Sequence, residues 1–395
     1  MESYFKDIDL NSVKSKNNIE HSKENRVENF FKKLKKPFKI IRSIIVIIAV
    51  IIVLILLLEL VSFCLIEGYR YIKPTDLMDL DVLNESDWVK DYIREERSLG
   101  NQYYPYLGWR RQKNFTEEYV NVDENSIRKT ENPCESEDSL KIFVFGGSTI
   151  WGSGVRDSST IPSYLSKYLC SKNIPVKVTN LGEGGYVSTQ GMIALELELR
   201  KENYPDIIVF YDGINDVYAS YQINKAGSPQ NVFDREADFN SRKKLNIKQN
   251  ILNSNIMKLK NRFLGKPEPV IQISPDLEDE TIKLYLNNLK IIKTLEKEYD
   301  FKGFYYWQPT LATKIPMSED EQNKIPKEEI FDKLYLNVTS KMQGLAVNNQ
   351  ITDLSGIFNN MNKTIYFDTY HLFEEGNQII AQRIGDDIIN YVKSS

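Results

Sequence analysis

The sequence predicts an α/β fold, a parallel sheet covered on both faces by helices, preceded by a single membrane-spanning helix. Three observations carry that prediction. From residue 140 onward short β-rich runs alternate with longer helical patterns, the order expected of βαβ units. Glycine-rich turns close the first two strand-like runs, at Gly146-Gly147 and at Gly182-Glu183-Gly184-Gly185. Ahead of this region residues 44–58 are apolar without a break, and the apolar character resumes after Glu59 as far as Ile66.

Taken in order, residues 1–39 read as a cytoplasmic tail, polar and rich in Lys, Asn and Ser, with one amphipathic turn near Phe30 and Phe31. Residues 40–66 follow as the transmembrane helix. Residues 44–58 would rise only about 22 Å, short of the roughly 30 Å hydrocarbon core, whereas residues 44–66 reach about 34 Å. The span therefore includes Glu59, which reads as a carboxylate snorkelling to the nearer interface, a functional intramembrane acid being the alternative. Lys32, Lys33, Lys35, Lys36, Lys39 and Arg42 crowd one flank, against Glu67, Arg70, Lys73, Asp76 and Asp79 on the other. Positive charge stays inside, so the N-terminus is expected in the cytoplasm and everything after Ile66 outside it. The apolar stretch is too long, and too far along the chain, for a cleaved signal. Phe63 is too large to precede a lipidated Cys64.

Residues 67–139 read as a stalk that becomes a packed extension, with the aromatics Tyr103, Tyr104, Tyr106 and Trp109. Residues 140–395 form the expected catalytic domain. Strands are predicted over 140–145, 176–181, 206–211 and 303–307, and helices near 161–169, 189–202, 277–299, 327–342 and 375–392. A polar insertion over 219–274, weakly helical around 247–263, interrupts the alternation as a lid or binding region would. Cys134 and Cys170 fall at the same end of this sheet, where either a disulfide or two buried thiols would fit.

With 41% hydrophobic residues, 27% charged residues and a net charge of -4, the chain has the makings of a core and no excess of positive charge, which excludes a disordered protein and a nucleic-acid partner. It holds two histidines, and that scarcity assigns a role. Histidine is the default base for a serine nucleophile, and His21 lies before the span, which leaves His371 for any site beyond it. Polar motifs sit at three successive strand ends: Gly146-Gly147-Ser148-Thr149, Asn180 to Gly185, and Gly213-Ile214-Asn215-Asp216. Asp368-Thr369-Tyr370-His371 is the fourth piece. Each alone reads as a turn, a capped loop or a helix cap. Their shared edge points to a site, because ligands bind beyond the carboxyl ends of a parallel sheet. No Gly-Lys-Ser/Thr follows Gly146, so a phosphate loop is not expected. Asp212, Asp216, Asp368 and His371 could be drawn as metal ligands, but one imidazole is too few, and no metal or cofactor is expected.

Over residues 140–392 the chain resembles the SGNH or GDSL hydrolase superfamily, named for a Ser, Gly, Asn and His in four blocks, matched here by Ser148, Gly185, Asn215 and His371. The first block reads Gly-Gly-Ser-Thr where the family has Gly-Asp-Ser, and Gly185 follows from the spacing Asn-x-Gly-x-x-Gly that begins at Asn180. The resemblance implies a flavodoxin-like three-layer α/β/α domain with a five-stranded parallel sheet. It also implies Ser148 as nucleophile, His371 as base and Asp368 as its orienting acid, with the oxyanion held by the amides of Ser148 and Gly185 and the side-chain amide of Asn215.

The expected activity is that of a serine esterase removing a short acyl group, acetyl foremost, from an extracytoplasmic carbohydrate. Trp151, Tyr186, Tyr211, Tyr218, Tyr221, Trp307 and Tyr370 would suit stacking on sugar rings or would pack the core, Tyr211 and Trp307 belonging to the core. Expected partners are an acylated glycan, the membrane through one span, and envelope-polysaccharide enzymes. O-acyl transfer to a surface glycan is the nearest alternative and would need a separate donor module. A lipid esterase would call for an apolar face on the 219–274 insertion, which is instead rich in Lys, Asn and Arg. A non-enzymatic assembly scaffold sits badly with a chain that keeps both Ser148 and His371.

Overall fold

The computed structural model describes residues 26, 30, 41–69, 87–241, 254–264, 273–325 and 328–394. The tail apart from Arg26 and Phe30, the basic flank at 32–39, the stalk at 70–86, and the stretches 242–253 and 265–272 of the insertion lie outside those residues. The chain divides into two compact units, Met1–Tyr71 with Asn246–Pro267, and Ile72–Leu245 with Glu268–Ser395. The described residues 254–264 of the insertion thus belong to the same unit as the span.

In the larger unit, β1 (Asn101–Tyr104) pairs antiparallel with β2 (Gly108–Arg111), and β3 (Phe115–Thr116) with β4 (Asn121–Val122). The main sheet comprises β5 (Leu140–Gly146), β6 (Val176–Asn180), β7 (Ile207–Asp212), β8 (Lys302–Trp307) and β9 (Ile351–Asp353). Its order is β6-β5-β7-β8-β9 with every pair parallel, the flavodoxin-like arrangement. All six residues of β7 are buried, as a central parallel strand covered on both faces requires.

Side chains alternate between the two faces with the period of two that a strand imposes. Ile142, Val144, Val209, Tyr211 and Tyr306 join a core with Leu165 and Leu169 of the helix Ile161–Ser171 and Ile380, Ile384 and Ile388 of the helix Glu374–Ser394. Phe143, Phe145, Ile208, Phe210, Tyr305 and Trp307 join the opposite core with Leu195, Leu289, Ile292, Val338 and Met342. Those residues come from the helices Ser188–Leu199, Leu277–Glu298 and Glu329–Ala346. The helices after β5 and after β6 therefore pack on opposite faces, and the switch between them falls at the carboxyl ends of β5 and β7, where Gly146 registers with Tyr211.

The extension before the sheet is built into the domain. The Arg128 guanidinium is buried on Asp157 (2.8 Å) and donates to the carbonyl oxygens of Trp151 (3.0 Å), Gly152 and Val155 (2.7 Å), the turn that follows Ser148. Cys134 and Cys170 are joined, with their Cα atoms 5.8 Å apart, so the disulfide is the arrangement found. The insertion begins as a continuation of the helix Ile214–Ile223 and then forms the helix Val232–Ser241.

The smaller unit contains the helix Ile41–Tyr69, long and apolar enough to cross a membrane, and the ten-residue helix Asn255–Leu264.

Candidate active site

Ser148 opens a four-residue helix, Ser148–Trp151, directly beyond β5. Its neighbours leave no room for larger residues. A Cβ on Gly147 would lie 2.0 Å from Asn215 Nδ2, so this glycine lets the asparagine amide lie against the backbone beside the serine. As the first residue of a helix, Ser148 has an amide with no intrahelical acceptor, and that N–H is open to a ligand.

His371 reaches the serine from the far end of the chain. Its Nε2 lies 2.7 Å from Ser148 Oγ and its Nδ1 lies 2.7 Å from Asp368 Oδ2. The other carboxylate oxygen of Asp368 accepts from the backbone amides of Tyr370 (2.8 Å) and His371 (2.7 Å), so one short loop fixes both the acid and the imidazole. Phe367 stacks on the imidazole, with ring centroids 5.6 Å apart and an interplanar angle of 9°. The loop is itself pinned, with Leu311 N–H donating to Thr369 O (3.0 Å) and Phe367 N–H to His371 O (3.2 Å).

These contacts set the protonation chemistry. Burial alone would push the His371 pKa down, but the charge and hydrogen bond of Asp368, with Glu96 behind them, outweigh it and hold the imidazole above its ordinary value. Burial likewise pushes Asp368 upward, and is outweighed by His371 and the two backbone amides, so this carboxyl lies below the usual range.

The second and third blocks converge on the same edge. Asn215 Nδ2 donates one hydrogen to Tyr186 O (2.7 Å), while its Oδ1 accepts from Gln230 Nε2 (2.9 Å). A primary amide carries two hydrogens, which leaves one for the site. Gly185 has φ +77, a conformation that favours glycine, and a Cβ there would lie 2.9 Å from Gln230 Oε1. The amide of Gly184 is spent on Glu183 Oε1 (2.8 Å), whereas that of Gly185 finds no acceptor among the described residues. The two neighbouring glycines thus differ in the hydrogen bonding of their amides.

Ser148, Asp368 and His371 form one hydrogen-bonded chain, and Asn215 and Gly185 meet through Gln230. Asp212, which is buried, and Asp216, which is half-buried, make no hydrogen bond to that chain. Asp216 accepts from Ser188 Oγ (2.6 Å), and burial raises both carboxyls. Of the aromatics, Trp151, Tyr186, Tyr211 and Trp307 are buried in the core. Tyr218, Tyr221 and Tyr370 are half-buried in one cluster, Tyr218 lying 6.2 Å from Tyr370 and 6.4 Å from Tyr221 between ring centroids.

Four contributors were not visible in the sequence: Gln230, Glu96, Phe367 and Arg128. None belongs to a motif. Gln230 and Glu96 come from the insertion and the extension, where only a contact in space relates them to Ser148.

A parallel sheet with a Ser-His-Asp chain at its switch point defines a serine hydrolase of the flavodoxin-like kind. The chain belongs to the GDSL-like lipase/acylhydrolase family, whose model matches residues 142–384, and is an SGNH-type ester hydrolase. No curated protein matches it. Among solved structures it is similar to the acetyl xylan esterase AlAXEase at 15% identity, covering 63% of this chain and 100% of that one with a TM-score of 0.37. It is also similar to a catalytic mutant of the acetylxylan esterase Axe2 from Geobacillus stearothermophilus (14% identity, 63% and 93% covered, TM-score 0.36). A third is TesA (12% identity, 62% and 96% covered, TM-score 0.34).

Proposed function

We propose that the chain is an extracytoplasmic carbohydrate esterase that removes acetyl groups through an acyl-serine intermediate. The observation that carries this reading is the unbroken chain from Ser148 Oγ to His371 Nε2 and from His371 Nδ1 to Asp368, both links at 2.7 Å. Ser148 Oγ attacks the ester carbonyl as its proton passes to His371 Nε2, and Asp368 holds the tautomer that leaves Nε2 free to accept it. The amides of Ser148 and Gly185 and the remaining Asn215 hydrogen hold the oxyanion. The imidazolium then protonates the departing alcohol, and water, deprotonated by the same histidine, releases acetate from the serine.

The half-buried cluster of Tyr218, Tyr221 and Tyr370 supports a carbohydrate substrate, since Tyr370 lies next to the base with its ring centroid 6.5 Å from that of His371. Aromatic faces of this kind stack on the apolar faces of sugar rings. The basic flank before the apolar helix supports an N-terminus in the cytoplasm, and the Cys134–Cys170 disulfide supports an oxidising compartment for the hydrolase.

The test is to incubate the full-length protein in detergent with p-nitrophenyl acetate, alone and with an acetyl-accepting oligosaccharide, and then with acetylated oligosaccharide. Release of acetate from the acetylated sugar is the expected result. Transfer of acetyl to the acceptor would replace hydrolysis by O-acyl transfer. Failure to turn over any of these would leave the scaffold reading.

A further inference from the structure

Glu59 is the single charged residue within the apolar run of 44–66. A carboxylate at such a position is costly unless its oxygens are hydrogen-bonded. It does not merely snorkel. Its oxygens accept from the backbone amides of Asn255 and Ile256, the latter at 3.1 Å, while Ser254 Oγ accepts from the amide of Met257 at 3.3 Å. These are the first three amides of the helix Asn255–Leu264, which no intrahelical carbonyl can serve, and the carboxylate also faces the positive end of that helix. On the span itself only Glu59, Ser62 and Ile66 are withdrawn from full exposure among the described residues of Ile41–Tyr69, and their spacing places them on one helix face. Span and short helix belong to the same compact unit.

Depth and composition agree with this packing. Ile66 ends the apolar run, about 10 Å along the helix from Glu59, so a helix starting at Glu59 begins near the depth of roughly 5–10 Å at which interfacial amphipathic helices lie. Ile256, Leu259 and Phe263 recur at i, i+3 and i+7 in its sequence. Ile256, Met257 and Leu259 are half-buried, whereas Lys258 and Lys260 are exposed. The polar composition of the insertion conceals this one amphipathic segment.

We propose that residues 254–264 are a second membrane attachment, an interfacial helix docked on Glu59, with its apolar side in the bilayer and its lysines on anionic lipid headgroups. The proposal rests on Ile41–Tyr69 spanning the membrane and is independent of the reaction.

The full-length protein with Cys64→Ser, its other two cysteines bridged, accepts single cysteines for nitroxide labelling at Val53, Lys258, Leu259 and Ile256. In vesicles of phosphatidylcholine and phosphatidylglycerol, labels at Val53, Ile256 and Leu259 should collide with oxygen in preference to a water-soluble nickel chelate, and the label at Lys258 should meet the chelate. Glu59→Leu should lower the membrane-held fraction of the Leu259 label about fivefold, the effect of losing a helix cap. Chelate access at Ile256 and Leu259 equal to that at Lys258, with Val53 still in lipid, overturns the second attachment and leaves the span standing. Chelate access at Val53 removes the span and the proposal with it. A Leu259 label in lipid that ignores Glu59→Leu overturns docking on Glu59.

Discussion

Asp368→Asn separates orientation from mere proximity. One carboxylate oxygen accepts from the amides of Tyr370 and His371, and the other faces His371 Nδ1 at 2.7 Å. The asparagine oxygen will stay with the two amides, so its NH2 group will face Nδ1. Nδ1 must then accept, which moves the imidazole proton to Nε2, the nitrogen that has to take the proton of Ser148. Escape by flipping the amide would set NH2 against the two backbone N–H groups and forfeit both hydrogen bonds, at about 1–3 kcal/mol each. A penalty of about 2–6 kcal/mol corresponds to a loss of roughly 30-fold to 10⁴-fold in kcat. The assay is p-nitrophenyl acetate hydrolysis at saturating substrate, with circular dichroism melts to show that the fold is kept. A kcat within about threefold of the parent would refute the tautomer argument, because that difference is worth well under 1 kcal/mol.

Other perturbations follow from the same geometry. Gly147→Ala puts a methyl group 2.0 Å from Asn215 Nδ2, which should displace that amide and lower kcat by about 10² to 10³ with little change in KM, as measured in steady-state kinetics. The acid limb of the kcat/KM profile should lie above the ordinary histidine value, because activity requires the neutral imidazole and Asp368 and Glu96 favour its protonated form. Glu96→Gln should move that limb to lower pH without changing the plateau. The carboxylate of Glu321 is buried with Lys314 and accepts from the amides of Ile365 (2.8 Å) and Tyr366 (3.1 Å), the run that leads into Asp368. Glu321→Ala strands a buried lysine and should cost about 3–5 kcal/mol in urea unfolding. Burial pushes the pKa of Glu321 up, but Lys314 and the amides hold it low, so its stabilisation is present above the unfolded glutamate value and is lost as pH falls through the folded one.

What could be read from the sequence depended on how local the governing physics is. Strand β7 announces itself because a central parallel strand covered on both faces must be apolar, as its first five residues, Ile-Ile-Val-Phe-Tyr, are. β9, three residues long with the sequence Ile-Thr-Asp, has no such run and exists only by pairing with Tyr305 to Trp307. Ser148, Asn215 and the pair Asp368 and His371 are legible because each stands in a short local motif, the first two in the opening turn of a helix just beyond a strand and the last two in one loop. Gln230 and Glu96 are not, since their relation to the site runs through space from segments with no periodic pattern. The stacking candidates divide for a similar reason. Tyr211 and Trp307 lie on strands and face the core, whereas the half-burial of Tyr218, Tyr221 and Tyr370 depends on Phe331 from a distant helix.

If Ser148 is a nucleophile activated by His371, it should be open to covalent trapping. Intact-protein and peptide mass spectrometry after treatment with a serine-reactive fluorophosphonate tests it most directly. One adduct per chain is expected on the peptide containing Ser148, lost in Ser148→Ala and strongly slowed in His371→Ala. Esterase activity that survives Ser148→Ala, or an adduct on another serine that accounts for its loss, would contradict it.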